Sequence, residues 1–246
     1  KKQADPARQP LPKPGMQTSN IPVGPVVVIG ACNFPFAISV VGTDTASALA
    51  VGCPVVVKAH PEHSRTCQNL ADLVETASRE TRMPEKAFQL VHGIEHSVTR
   101  ALIEHPRTMC VAFTGSLKGG QTLHQLASLR KSPIPFHAEM GSLNPVFVLP
   151  QALIEFGGEI AKGFVAAVNL FVGQMCTKPG LLILIESPAV ESFLERIKEA
   201  VGQIKSAEML NQSVFKNYHS ITSELSSSLG LVASNHKQVE ENERLA

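Results

Sequence analysis

The chain has 246 residues, 43% of them hydrophobic and 17% charged, which is the composition of a globular protein with one large domain or two smaller ones. Its formal net charge of +1 gives no electrostatic basis for binding nucleic acid or an anionic membrane. No apolar run reaches the roughly 18 residues of a membrane span. The five cysteines form no CxxC pair and no metal-ligand spacing, which indicates a reducing compartment, the cytoplasm.

Residues 1–22 are rich in Pro, Lys and Gln without periodicity, which predicts a linker or surface arm. Strands and helices then alternate. The predicted strands are residues 26–30, 54–58, 87–91, 109–113 and 134–140. The predicted helices are residues 38–51, a helix that Ser64 N-caps and that runs to about residue 81, residues 94–104, and a helix that ends near residue 130. This order predicts a parallel, doubly wound, Rossmann-like sheet, and hence a dinucleotide-binding domain over residues 23–140.

The pattern restarts near residue 141 and predicts part of a second α/β domain over residues 141–246. Its predicted elements are a strand at 146–149, a helix at 158–172, a strand at 181–186 and a helix at 190–204. The Ser- and Glu-rich tail, residues 212–246, is polar and only weakly patterned. In parallel sheets, ligands lie beyond the carboxyl ends of the strands, so the loops after Ile29, Val57 and Phe113 are the first candidates for a site.

The stretch NLFVGQMCTKPG places Cys176 between the end of a predicted helix and a predicted strand. Gly173 interrupts the helical pattern, and Pro179 with Gly180 prevents regular structure after the cysteine. A buried structural cysteine needs no such setting, whereas a nucleophile must be exposed and closely approached by backbone and ligand. The pattern therefore favours a catalytic thiol, and the alternative is an inert small hydrophobic residue.

Four other stretches carry candidate residues, each with a simpler alternative. In GACNFP, the amide of Asn33 can stabilise an oxyanion, although Gly, Asn and Pro are also ordinary turn residues. In FTGSLKGG, glycines and a helix N-terminus can receive a phosphate, although Ser116 can simply cap that helix. Lys58 ends a buried strand where it can reach ribose hydroxyls or phosphate, or else extends to the surface. Glu139, in HAEMGSLNP, is either a general base whose pKa is raised by burial or a surface carboxylate.

These motifs occur in the same order as in aldehyde dehydrogenases, which the chain resembles over about residues 21–204. NFP, VVVK, FTGS, EMG with NP, and GQMC all stand where that family has them. FTGSLKGG and CTKPG are most similar to the branch that acts on ketoglutaric semialdehyde and to the NADP-using fatty aldehyde enzymes of luminous bacteria. The resemblance implies NAD(P)-dependent oxidation of an aldehyde to a carboxylic acid.

The resemblance also implies roles for single residues. Cys176 corresponds to the nucleophile that forms a thioester, Asn33 to the oxyanion donor and Glu139 to the base that activates water. The corresponding cofactor-binding residues are Lys58, His60, Gly115, Ser116, Gly120 and Ala31, and no metal is implied. The family acts on small-molecule aldehydes, and we expect a homo-oligomer for a full-length parent.

Three departures from the family pattern matter. Many NAD-preferring members have a glutamate that grips both ribose hydroxyls at the position of Pro61, so NADP becomes a plausible cofactor. The family's GGK is Gly141-Ser142-Leu143 here. No later ExFGP-like stretch follows, and the chain is short for the family, so we expect a fragment.

Two other classes of function stay open. One is a Cys-dependent acyl hydrolase or transferase with a histidine such as His137 as its base. The other is an inactive fragment that retains nucleotide binding.

Overall fold

The computed structural model describes residues 3–230 of the chain. The chain divides into two compact units, Lys1–Glu139 and Met140–Ala246. Strands and helices alternate through the described residues of both units, so the α/β class predicted from the sequence is confirmed.

The first unit is built on a five-stranded sheet. Its strands are β1 (Val26–Ile29), β2 (Val55–Lys58), β3 (Phe88–Val91), β4 (Cys110–Gly115) and β5 (Phe136–Met140). Their order is β3-β2-β1-β4-β5, and β1 pairs in parallel with both β2 and β4. All four residues of β1 are buried, which explains why they are all apolar. The predicted doubly wound parallel sheet is therefore confirmed.

Four helices connect these strands. They are α1 (Thr43–Ala50), α2 (Ser64–Glu80), α3 (His96–Glu104) and α4 (Leu117–Ser128). Helix α2 buries Cys67, Leu70 and Ala71, which are three and four residues apart and therefore lie on one face. These side chains join the core that contains Val28 of β1 and Val57 of β2.

Two of these helices begin differently from the prediction. Helix α1 starts at Thr43 instead of residue 38, because the Thr43 amide donates to the Ala37 carbonyl at 3.0 Å and folds residues 35–42 into turns. A Cβ on Gly42 would lie 2.6 Å from the Ala37 carbonyl carbon, so only glycine fits there. Ser64 is the first residue of α2 and not its N-cap, since the 3₁₀ turn Pro61–His63 precedes the helix and His63 takes the cap position.

The N-terminal segment contains little regular structure. Residues 3–22 are exposed except for the partly buried Lys13, and a single β-bridge joins Asp5 to Lys13. Lys1 and Lys2, which the sequence assigns to the same predicted arm, lie outside the described residues.

The second unit contains strand β6 (Pro145–Val148), which pairs in parallel with β7 (Leu181–Leu184). Helix α5 (Pro150–Asn169) connects them, and α6 (Ala189–Gly202) and α7 (Gln212–Ser228) follow. Helices α5 and α6 pack on the strands through a core that includes Leu153 and Phe193.

Here too the prediction needs correction. Helix α5 begins at Pro150 and not at residue 158, since a proline is well suited to the first turn of a helix. Helix α7 lies in a stretch for which no helix was predicted, because its composition is polar and only weakly patterned. Asn211 caps this helix by accepting from the Val214 amide at 2.9 Å. Residues 231–246 of the predicted tail lie outside the described residues.

Within residues 3–230, one helical stretch, Pro150–Gly173, is long and apolar enough to cross a membrane by length and composition. This is weak support for a membrane span, because core helices of soluble proteins pass the same test. Its buried residues Leu153, Gly157, Ala161 and Val165 recur every four positions and form a single stripe.

Candidate functional site

The strand order of the first unit reverses direction at β1, and sheets of this kind have a crevice there, beyond the carboxyl ends of the strands. From β1 the chain winds outward through β2 to β3, and then returns to the other side of β1 as β4. The helices that follow β1 and β4 therefore leave in opposite directions, and the carboxyl ends of these two strands are the usual ligand site of such sheets. Ile29 pairs with Lys58 of β2 and with Phe113 of β4, so the three predicted loops leave the sheet side by side.

The loop after β1 is held close to the chain that precedes α1. A Cβ on Gly30 would lie 2.6 Å from the Ile38 carbonyl oxygen and 2.8 Å from the Ser39 Cα, so a side chain there would displace the backbone. Ala31 and Asn33 follow and are half-buried. Asn33 stands next to a turn that is closed by the Ile38 amide, which donates to the Phe34 carbonyl at 3.1 Å. A turn thus begins directly after Asn33, and this is compatible with both alternatives that the sequence left open for this residue.

The loop after β4 leads directly into helix α4. Ser116 is the N-cap of that helix, and its Oγ accepts from the Gly119 amide at 3.2 Å. Its hydroxyl proton can still be donated to a ligand. Gly120 is buried inside α4, and its amide donates to the Ser116 carbonyl at 2.9 Å. The Gly120 N–H is therefore engaged within the helix, while Gly115 ends β4 at the crevice.

A cluster of nitrogen-bearing side chains lies beside the crevice, at the end of β2. The Lys58 side chain is only 8% exposed, and within residues 3–230 it has no hydrogen-bond or ion-pair partner. The His60 and His63 rings stack with centroids 5.2 Å apart. His60 Nδ1 accepts from the Glu62 amide at 3.2 Å, so in the neutral ring Nε2 carries the proton and is a donor.

Burial and the neighbouring His63 and Lys58 lower the pKa of His60 to about 4. Burial also lowers the pKa of Lys58. Lys58 and the His60 Nε2–H can both donate to an anionic ligand, while the Glu62 side chain, which lies between the two histidines in the chain, is exposed. Donors of this kind bind phosphate groups in proteins.

His63 and Cys67 form a hydrogen-bonded pair that the sequence prediction missed. His63 Nδ1 lies 3.2 Å from the Cys67 sulfur, and this contact raises the pKa of His63 against the opposing effect of burial, with a contribution from the Ala31 carbonyl. Burial alone would raise the pKa of the Cys67 thiol, but hydrogen bonds with His63 and Ser39 outweigh it and the pKa is lowered. The four-residue spacing at a predicted helix start was the available signal.

Glu139 is exposed near the end of β5. Of the two alternatives that the sequence left open for Glu139, its exposure matches the surface carboxylate, and the burial expected of a general base is not found. Glu139 interacts electrostatically with Asp44, in the first turn of α1. Burial raises the pKa of Asp44, while His137 lowers it and the Glu139 carboxylate raises it.

Cys176 lies in the second unit on a tight turn that exposes its thiol. The Lys178 amide donates to the Met175 carbonyl at 3.1 Å and closes the turn. Before it, Phe171, Val172 and Gly173 all have positive φ angles, of 50°, 58° and 69°. A left-handed conformation is unfavourable for the β-branched Val172, by roughly 1–3 kcal/mol, and it ends the helical stretch abruptly. The predicted break before the cysteine is present, although helix α5 ends earlier, at Asn169.

The loop before β6 holds this turn through Asn144, which the sequence prediction did not single out. Asn144 Nδ2 donates to the carbonyls of Cys176 at 2.7 Å and of Lys178 at 2.9 Å. The Ser142 hydroxyl also donates to the Cys176 carbonyl. The Asn-Pro dipeptide was the available signal, because it favours turns.

Comparison with known proteins extends over nearly the whole chain. Residues 3–217 match the aldehyde dehydrogenase family. The chain is 45% identical over 215 residues to alpha-ketoglutaric semialdehyde dehydrogenase 2 of Azospirillum brasilense, which covers 87% of this chain and 41% of that protein. It is also 45% identical over 213 residues to the alpha-ketoglutaric semialdehyde dehydrogenase of Acinetobacter baylyi, with coverage of 87% and 40%.

A solved structure of a 1-pyrroline-5-carboxylate dehydrogenase variant from Thermus thermophilus has the same fold, with a TM-score of 0.77 at 23% identity. The match covers 91% of this chain and 44% of that one. The chain thus spans about two-fifths of the length of the curated relatives it matches.

The His63–Cys67 pair leads to a prediction about proton binding. Because Cys67 is the main cause of the raised pKa of His63, Cys67→Ala should lower that pKa, as followed by NMR titration of the His63 ring. Because the pKa of His63 is higher in the folded protein than the unfolded value of about 6.5, protonation of His63 stabilises the fold. This stabilisation is fully present below the unfolded pKa and is lost as the pH rises through the folded-state pKa. Cys67→Ala should remove that dependence. Cys110→Ala, at another buried cysteine, is the control and should leave the His63 titration unchanged; an unchanged titration in Cys67→Ala would contradict the assignment.

Proposed function

This chain belongs to the aldehyde dehydrogenase family, and on that basis we propose that the protein oxidises an aldehyde to a carboxylic acid with NAD or NADP. The observation that carries the proposal is the family match over residues 3–217, which includes every residue given a role below. We propose a semialdehyde such as α-ketoglutaric semialdehyde as the substrate, because the two relatives at 45% identity carry that name. All five cysteines are thiols, which supports a cytoplasmic location.

In the proposed mechanism, the Cys176 thiolate adds to the aldehyde carbon and forms a thiohemiacetal. The negative charge that develops on the aldehyde oxygen is stabilised by the Asn33 side-chain amide and by the Cys176 backbone N–H. The nicotinamide, when bound, supplies the chemistry of accepting the hydride from that carbon. What remains on Cys176 is a thioester. The exposed position of Cys176 on a tight turn supports this role, because a nucleophile must be reachable.

Hydrolysis of the thioester requires a base that acts on water. We assign this role to Glu139, which takes the proton while the water oxygen attacks the thioester carbon and the Cys176 sulfur leaves. The Glu139 side chain is exposed, so this role does not rest on burial of the carboxyl.

The first unit fits a dinucleotide on three observations. The strand order reverses between β1 and β4, the unpartnered Lys58 ends β2 beside them, and α4 begins at Ser116 with an N-terminus suited to a pyrophosphate. Lys58 and His60 would hold the adenosine ribose, and Ser116 with Gly115 the pyrophosphate. The backbone at Ala31 would border the nucleotide, whereas the engaged amide of Gly120 contributes only through close packing.

We further propose that the protein accepts NADP at least as well as NAD. Pro61 stands where a carboxylate would repel a 2′-phosphate, and Lys58 with the His60 Nε2–H can donate to that phosphate. A charge-assisted bond of this kind contributes on the order of 1.5–3 kcal/mol, which is about tenfold or more in affinity. Since the pKa of His60 is about 4, its donated bond does not change between neutral and mildly alkaline pH.

The first prediction from this function concerns the nucleophile. In the protein that contains this segment, Cys176→Ala should abolish aldehyde oxidation and leave cofactor binding intact, as measured by NAD(P)H formation and by calorimetric titration. Cys53→Ala, at a buried cysteine without an assigned role, serves as the matched control. Substantial oxidation by Cys176→Ala would contradict the proposal, and turnover of a thioester without any nicotinamide would support the acyl hydrolase alternative instead.

The second prediction concerns cofactor choice. Pro61→Glu should weaken NADP binding by about tenfold relative to NAD, because the new carboxylate repels the 2′-phosphate and can accept from both ribose hydroxyls. The measurement is the ratio of the two dissociation constants. Pro84→Glu introduces the same charge at an exposed proline elsewhere in the unit and should leave the ratio unchanged. A preference for NAD that Pro61→Glu does not alter would show that other residues read the ribose.

A further inference from the structure

The turn that carries Cys176 is held by a loop of the same unit, residues 141–144. The Asn144 side chain donates to the Cys176 carbonyl at 2.7 Å and to the Lys178 carbonyl at 2.9 Å. Both carbonyls therefore face one amide group. Within the described residues, their side-chain donors come from Asn144 and Ser142 alone.

The backbone on either side of these contacts is also fixed. The Gly180 amide donates to the Leu143 carbonyl at 2.8 Å, and a Cβ on Gly180 would lie 2.8 Å from that same oxygen. Beyond this point, Pro145 of β6 pairs with Leu181 of β7. The loop and the turn are thus joined at their strand ends, and Asn144 extends the connection to the cysteine itself.

The amide of Asn144 has two protons and three acceptors within reach, because Ser142 Oγ lies 2.6 Å from the same Nδ2. The Ser142 hydroxyl in turn donates a hydrogen bond to the Cys176 carbonyl. This carbonyl therefore receives two donors, while the turn is closed on its other side by the Lys178 amide. An arrangement with this many donors on one peptide restricts the rotation of the Cys176–Thr177 peptide group.

We propose that Asn144 is a positioning residue that holds the Cys176 turn in its reactive conformation, with Ser142 in a supporting role. This inference rests on the proposed function of Cys176 as the nucleophile. Asn144 acts through the peptide carbonyls and not on the substrate. A thiol displaced by a small movement of its turn loses its alignment with the aldehyde carbon, and alignment is a large part of enzymatic rate.

The identity of residue 144 is constrained in two ways. Its φ angle is +44°, a left-handed conformation that asparagine, aspartate and glycine tolerate better than other residues. Of these three, asparagine alone has a side chain that donates. Asn144→Asp keeps the shape and the backbone preference but offers an ionised carboxylate to two carbonyl oxygens, whereas Asn144→Gly removes the side chain and keeps the backbone.

The two variants distinguish an effect of the donated hydrogen bonds from an effect of backbone conformation or packing. If the donated bonds matter, Asn144→Asp should be more damaging than Asn144→Gly at pH 7, because the carboxylate repels the carbonyls. As the pH falls toward the carboxyl pKa, ordinarily about 3.9, the protonated acid can donate one bond and should partly restore the turn. A role in shape alone predicts that Asn144→Asp behaves like the parent at every pH.

The first measurement is hydrogen exchange of the Lys178 amide in this chain by NMR, corrected for intrinsic exchange. We expect protection to fall by about tenfold in Asn144→Asp at pH 7, by less in Asn144→Gly, and to recover in Asn144→Asp near pH 4. Asn217→Asp places the same change on the exposed face of α7 and should have no effect. Equal protection in Asn144→Asp and the parent would overturn the proposal.

The second measurement is the rate of the first burst of NAD(P)H in the protein that contains this segment. We expect Asn144→Asp to lower this rate by about tenfold or more with an unchanged dissociation constant for the cofactor. An unchanged burst in Asn144→Asp, with activity still lost in Cys176→Ala, would overturn the role of Asn144 and leave Cys176 as the nucleophile. Activity retained in Cys176→Ala would overturn the proposed function, while the exchange measurement would still report whether Asn144 holds the turn.

Discussion

The arrangement of the first unit depends on the parallel pairing of β1 with both β2 and β4. Because all three strands run in the same direction, their carboxyl ends meet at one edge, where Ile29 stands between Lys58 and Phe113. The close approach of Gly30 to the backbone at Ile38 then fixes the loop that carries Asn33. Because of the strand order, Asn33, the Lys58–His60–His63 group and the N-terminus of α4 all lie at this edge.

In the second unit, the exposed Cys176 lies on a turn whose backbone is held by hydrogen bonds. An exposed turn is ordinarily mobile, because few buried contacts oppose its opening. Here the left-handed residues before the turn end the helical stretch, and donors from Asn144 fix the turn after it. The local strain at Val172 and the hydrogen bonds of Asn144 therefore act together: one directs the chain out of the helix and the other holds the resulting turn.

Much of this could be predicted from the sequence, for identifiable reasons. Continuous runs such as VVVI predict buried parallel strands, and their alternation with helices predicts the doubly wound sheet. The burial of individual side chains and the backbone geometry of the loops were harder to predict from the sequence. Three features depend on contacts that sequence patterns do not reveal, because the contacting segments are far apart in the sequence or fold back on themselves. They are the exposure of Glu139, the start of α1 at Thr43 and the displacement of Ser64 from its cap position. The same holds for Asn144, since nothing in the Asn-Pro dipeptide indicates which carbonyls its amide will meet.

We propose that the carboxyl edge of the five-stranded sheet binds a nicotinamide dinucleotide. The most direct test is hydrogen exchange of this chain, resolved by residue, with and without saturating NADP. Binding at this edge predicts increased protection at residues 30–33 and 114–119, on the two loops that flank the crevice, with smaller changes near residues 58–63. Binding without protection of these loops, or protection confined to other parts of the first unit, would contradict it.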